Sequence, residues 1–120
     1  VTGFGLGGHL LEVCVGSGTS ARITMEHVPV ISEARNYLAQ GCHPDGSFRN
    51  WKSLHDHMTG ASSMDRMMLL SDPQTSGGLL ISIAPDALDE VEFVLNRSGE
   101  QARVFGHMES APKISTITVI

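Results

Sequence analysis

The stretch LLSDPQTSGGLLIS, residues 69–82, decides how the chain is read. Two apolar runs, Leu69-Leu70 and Leu79-Leu80-Ile81, flank eight residues that are polar, small or turn-forming. A tight reversal needs far fewer. Pro73 fixes one backbone angle and has no N–H, and Gly77 and Gly78 permit conformations that side chains forbid. The run that follows, 79–84, reads as a strand buried on both faces.

Working outward, Pro85 marks a helix start, and Asp86, Asp89 and Glu90 suit the positive end of its dipole. Leu88, Val91, Val94 and Leu95 form its apolar stripe, and Gly99 ends it. Two further strands, 102–108 and 114–120, follow, with a turn around Pro112. Upstream, Leu6, Leu10, Val13 and Cys14 fall at helical spacing, with Thr2 as the expected N-cap and Gly16-Ser17-Gly18 as the stop. Residues 21–27 alternate as a half-buried strand that Pro29 ends, and 32–40 read as a short helix closed by Gly41. Residues 42–63 read as an ordered excursion with about one helical turn, anchored by Trp51 and Leu54, and 64–70 as a short helix or extended approach to the loop. These elements predict an α+β domain: a mixed four-stranded sheet with helices packed on one face.

The chain has 120 residues, which suffices for one domain with its own core. Charged residues make up 18% and hydrophobic residues 41%, a globular balance rather than a disordered one. With a net charge of −5 and only eight Lys and Arg scattered along it, the chain lacks the basic patch of a nucleic-acid binder. No apolar run approaches the ~20 residues that cross a bilayer, so no membrane partner is expected. Two cysteines, Cys14 and Cys42, make no disulfide framework, and a reducing cytoplasmic location is the simpler expectation. The chain opens on Val-Thr-Gly, and a Gly-rich motif at its first residues reads as part of a longer polypeptide.

That opening, TGFGLGGH, places Gly3, Gly5 and Gly8 at the spacing of a dinucleotide-binding fingerprint, with Glu26 near the position of a ribose-binding acid. No strand precedes it in the chain, and the fingerprint needs one. Two readings of the glycines stay open: close approach of the first helix to another backbone, or an anion at free N–H groups. The loop at 71–78 poses the same choice. Gln74, Thr75 and Ser76 either bond the loop's own backbone or, with the glycine N–H groups, offer donors to an anion.

Other residues carry weaker signals. Cys42, His43 and Asp45, and His55, Asp56 and His57, are ligand-type residues at a spacing that matches no closed zinc site, so no metal ligand is expected in this chain. His9, one turn into the first helix, reads as a satisfied polar contact, with an anion contact as the alternative. Met58, Met64, Met67 and Met68 read as adaptable core, and Cys14 as core rather than nucleophile.

Taken together, VTGFGLGGHLLEV and, some way downstream, LLSDPQTSGGLLISI resemble the C-terminal domain of the selenophosphate synthetases, also called selenide, water dikinases. The resemblance runs over nearly the whole chain and includes Arg49-Asn50. The opening motif is shared more loosely with aminoimidazole ribonucleotide synthetases and thiamine monophosphate kinases. Gly7 departs from the pattern, which commonly has a larger apolar residue there. The resemblance implies a two-domain, ATP- and Mg²⁺-dependent enzyme that converts selenide, ATP and water to selenophosphate, AMP and phosphate. It assigns the reactive Cys or selenocysteine, most metal-binding aspartates, the nucleotide site and the homodimer contact to an N-terminal domain outside these residues. It places one more metal-binding Asp immediately before Val1. No catalytic residue is expected within residues 1–120, which would serve as the C-terminal domain. Thr2, Gly3 and Gly5, with Thr75, Ser76, Gly77 and Gly78, are the residues expected to line the cleft facing that N-terminal domain and its ATP. A related ATP-dependent synthetase or small-molecule kinase, and a non-catalytic interaction module of the same fold, are the alternatives.

Overall fold

The computed structural model describes residues 1–111 and 113–120. Helix α1 (Gly5–Ser17) is followed by strand β1 (Thr19–Ile23), a 3₁₀ turn at Met25–His27, and helix α2 (Ser32–Ala39). Helix α3 (Asp45–Leu54), a 3₁₀ turn at His55–His57, the two-residue strand β2 (Met58–Thr59) and helix α4 (Met64–Leu70) come next. After the loop, a 3₁₀ turn at Pro85–Ala87 leads into helix α5 (Leu88–Arg97), and strands β3 (Gly106–Ser110) and β4 (Ile117–Val119) close the chain. The sheet order is β2-β4-β1-β3, with β1 antiparallel to β3 and parallel to β4, and β2 parallel to β4. The α+β class and the mixed four-stranded sheet are as the sequence predicts.

The core lies between α1 and the sheet. Leu10 and Cys14 of α1 meet Ala21, Ile23, Ile117 and Val119, and Leu54 and Leu70 close it from α3 and α4. Each fully buried aliphatic side chain of this set contributes about 1.5–3 kcal/mol through removal from water. Burial of the Cys14 thiol raises its pKa, which suits a core residue and not a nucleophile. Met58 and Met68 are core as expected, whereas Met64 is exposed.

Several expectations are corrected. Residues 79–84 do not form a strand: Leu79 is 82% exposed and Ile81 47%. The place beside central β4 is taken instead by β2, in a stretch whose polar composition hides it. The excursion at 42–63 contains ten-residue α3 rather than a single turn. Gly46, Ser47, Asn50 and Ser53 are poor helix formers, so packing against α1 and α4 must outweigh propensity there.

Thr2 is not the cap of α1. Phe4 holds that position and no side chain caps it. Gly18, left-handed at φ 66°, ends α1 as the Gly-Ser-Gly stop requires. Strand β1 runs 19–23 rather than 21–27, because the N–H of His27 turns back to the Thr24 carbonyl and winds residues 25–27 into a 3₁₀ turn. β3 sits later than 102–108: its pairing with β1 begins at Gly106, opposite Ile23. A Cβ on Gly106 would strike the Arg22 carbonyl oxygen. β4 is shorter than 114–120, and the expected turn at Pro112 lies outside the described residues. In α5 no residue is buried, and Val94 of the expected stripe is exposed.

Candidate functional site

The loop after α4 lies against the segment that enters α1. The N–H of Gln74 donates to the Thr2 carbonyl (3.2 Å) and that of Gly77 to the Val1 carbonyl (3.2 Å). The Val1 amino group donates to the Gly78 carbonyl (2.7 Å). The two glycine-bearing segments, more than 60 residues apart in sequence, therefore run side by side through their backbones.

Close approach requires glycine at two points. Gly5 has φ 77°, and a Cβ there would lie 2.9–3.0 Å from the backbone of Leu70, Ser71 and Asp72. A Cβ on Gly77 would strike the Val1 carbonyl oxygen. Gly7 is also buried, 3.1 Å from the Leu70 carbonyl by the same measure, so a larger residue at this position would need α1 and α4 to separate slightly. Of the two readings of the glycine-rich start, close approach to another backbone accounts for Gly5 and Gly7, whereas Gly8 makes room for the Phe4 ring and Gly3 borders open space.

Asn50, in the middle of α3, locks the arrangement. Its side-chain N–H₂ donates to the Gly3 carbonyl and to the Ser71 carbonyl, both at 2.9 Å. One amide thus joins the entry to α1 and the exit from α4. Residue-by-residue reading missed this role. The available signal was an Asn inside a helix, where its side chain otherwise competes with the backbone. Beside it, Pro73 packs on Gly46 at the start of α3.

The expected site residues divide by what their polar groups do. The N–H of Gly5 donates to the Thr2 carbonyl (3.0 Å) and that of Gly77 to Val1, so both are used inside the fold. The Thr2 hydroxyl is used as well: His9 Nδ1–H donates to Glu12 Oε2 (2.8 Å), leaving Nε2 to accept the Thr2 hydroxyl at 3.0 Å. His9 is a satisfied polar contact. Thr75, Ser76 and Gly78 are exposed and make no side-chain or N–H bond among the described residues. The loop's hydroxyls therefore do not serve its own backbone, the bland alternative for such a turn.

At the root of the loop, Ser71 is fully buried with an unpartnered Oγ. Partial burial of Asp72 raises its carboxyl pKa above the ordinary value. Among the described residues no three His, Cys, Asp or Glu converge to hold a metal ion. His55 and His57 lie in a 3₁₀ turn, and His57 Nδ1–H donates to the Ser115 carbonyl (3.1 Å). No helix among these residues is long and apolar enough to cross a membrane.

The chain is 44% identical to a selenide, water dikinase of Photorhabdus laumondii over 108 residues, 90% of this chain and 31% of that protein. It is 39% identical to a selenide, water dikinase of Shewanella sp. (strain MR-4) over 119 residues, 99% of this chain and 34% of that protein. With a selenide, water dikinase of Yersinia pestis the identity is 42% over 111 residues, 92% of this chain and 32% of that protein. The chain thus spans about a third of the length of these relatives. The family model described as "AIR synthase related protein, C-terminal domain" matches residues 1–119, the span that includes both paired glycine segments and the helix that clamps them. The chain belongs to the family of AIR synthase related protein C-terminal domains.

Proposed function

We propose that this chain is the C-terminal domain of a selenide, water dikinase and that its paired glycine segments form one wall of the cleft that receives the ATP phosphates. The overall reaction converts selenide, ATP and water to selenophosphate, AMP and phosphate. The remainder of the polypeptide carries the nucleophile, the Mg²⁺ ligands and the homodimer contact in this reading, and the protein works in the cytoplasm. The relatives' names support the activity, and the match to a third of their length supports a domain role.

One observation carries the assignment of the wall: a loop pinned to Thr2 and Val1 through Gln74 and Gly77 leaves the Thr75 and Ser76 hydroxyls exposed and unbonded. Donors held by a rigid frame are already oriented when charge develops on phosphate oxygens, so no reorganisation is needed at the moment of reaction. Thr75, Ser76, Gly78 and Gly3 would hold phosphate oxygens. Gly5 and Gly77 act as spacers that let the two backbones meet, and Thr2 holds the segment entering α1 through its carbonyl. ATP bound with Mg²⁺ supplies the phosphoryl group.

The test is the Thr75→Ala/Ser76→Ala double variant in the parent protein, with steady-state kinetics in ATP. Loss of at least about tenfold in kcat/KM for ATP is expected. Wild-type turnover and ATP affinity would refute the role of the loop. The isolated chain should neither turn over ATP nor bind Mg-ATP with micromolar affinity.

A further inference from the structure

A cleft of about 460 Å³ opens between α2 and α4, on residues that the phosphate-facing wall does not use except at Asp72, the root of the loop. Its walls are largely apolar. Leu38 comes from α2, Met68 and Leu69 from α4, and Tyr37, 59% exposed, also lines the cleft. The volume falls within the range of small-molecule sites.

Two polar groups in the lining lack partners. His43 Nδ1 is buried and forms no hydrogen bond. The ring packs edge-on against Phe48 with centroids 4.9 Å apart and planes at 86°. Asp72 is partly buried, and desolvation alone perturbs its carboxyl, with no opposing hydrogen bond or cation. No Lys or Arg lines the cleft. An apolar groove whose only carboxylate has neither a cation nor a hydrogen bond beside it is complementary to a ligand with an apolar body and a cationic head.

We propose that this cleft binds a small organic cation: a flat apolar body seated between Leu38 and Met68, with an ammonium or amidinium group on Asp72. The cationic head donates to the carboxylate. A ligand of this class supplies the charge and the donors that the fold withholds from Asp72. The site stands whether or not the loop beyond Asp72 contacts phosphate.

The experiment is an amide chemical-shift titration of the 120-residue chain at neutral pH with benzylammonium, and in parallel with benzyl alcohol, its uncharged analogue of similar shape. Benzylammonium is expected to shift the amides of Tyr37, Leu38, Met68, Leu69 and Asp72 saturably, and to bind at least about tenfold more tightly than benzyl alcohol. In Asp72→Asn the preference for the cation should vanish while weak binding of the ring remains. Equal affinity of the wild-type chain for the two probes would overturn the proposal without recourse to any variant. Shifts spread over the surface, or none at these five residues, would overturn it as well.

Discussion

Replacing Asn50 tests the arrangement on which the candidate site depends. Its side-chain amide makes two 2.9 Å bonds, to the carbonyls of Gly3 and Ser71. A single intramolecular bond is worth about 1 kcal/mol net, but a buried acceptor left alone costs about 1–3 kcal/mol. The Ser71 residue is fully buried and the Gly3 carbonyl is reached by solvent, so the loss concentrates at Ser71. Asn50→Ala should therefore destabilise the chain by about 2–3 kcal/mol, a large fraction of the ~5–15 kcal/mol that holds a domain of this size. In thermal unfolding that corresponds to a fall of roughly 10 °C in Tm. Asn50→Asp separates hydrogen bonding from shape. It keeps the volume but turns a carboxylate oxygen toward two carbonyl oxygens, so it should cost at least as much as Asn50→Ala at neutral pH. Exposed Arg49, one residue away, provides the control, and Arg49→Ala should stay within about 0.5 kcal/mol of wild type. Urea unfolding followed by circular dichroism measures all three. If Asn50→Asp unfolds at the wild-type midpoint, the amide is not the clamp and the side-by-side placement of the two segments has another cause.

Further expectations concern the residues around this clamp. Gly5→Ala combines a left-handed backbone at φ 77° with a Cβ only 2.9 Å from the Ser71 carbonyl carbon, and should cost about 2–5 kcal/mol in the same unfolding assay. Asp72→Asn should stabilise the chain at neutral pH and not at pH near 3. Burial raises the folded-state pKa of Asp72 above its ordinary 3.8, so its favourable contribution is complete below that value and is lost as pH rises through the folded pKa. Urea midpoints at the two pH values check the sign. Of the two thiols, exposed Cys42 should react with a chromogenic disulfide reagent in the native chain. Cys14, fully buried and with its pKa raised by desolvation, should react only on unfolding, giving one equivalent before denaturant and two after.

The residue pattern by itself determined the α+β class, the first helix with its Gly18 stop, the half-buried strand after it, the Pro85 entry to α5 and the core placement of Cys14. Each of these is a local rule: a periodicity, a cap or a turn residue acts over a few positions and does not depend on what the rest of the chain does. The two motifs that carry the family resemblance were equally visible, and so were the residues of the candidate wall. Only the tertiary structure shows how those residues are placed and which of their polar groups are already bonded. Gly77 is a spacer whose N–H is taken by Val1 from the far end of the sequence, and Gly5 must be glycine because the Leu70–Asp72 backbone packs on it; neither long-range approach is encoded by a local pattern. Asn50 became a clamp, and α3 a full helix, because packing against α1 and α4 outweighs the poor helix propensity of Gly46, Ser47, Asn50 and Ser53. For 79–84 the outcome is reversed: β-branched and apolar residues describe a strand that could be buried, but a strand exists only where a neighbouring backbone receives its hydrogen bonds. Beside β4 that place is held by Met58 and Thr59.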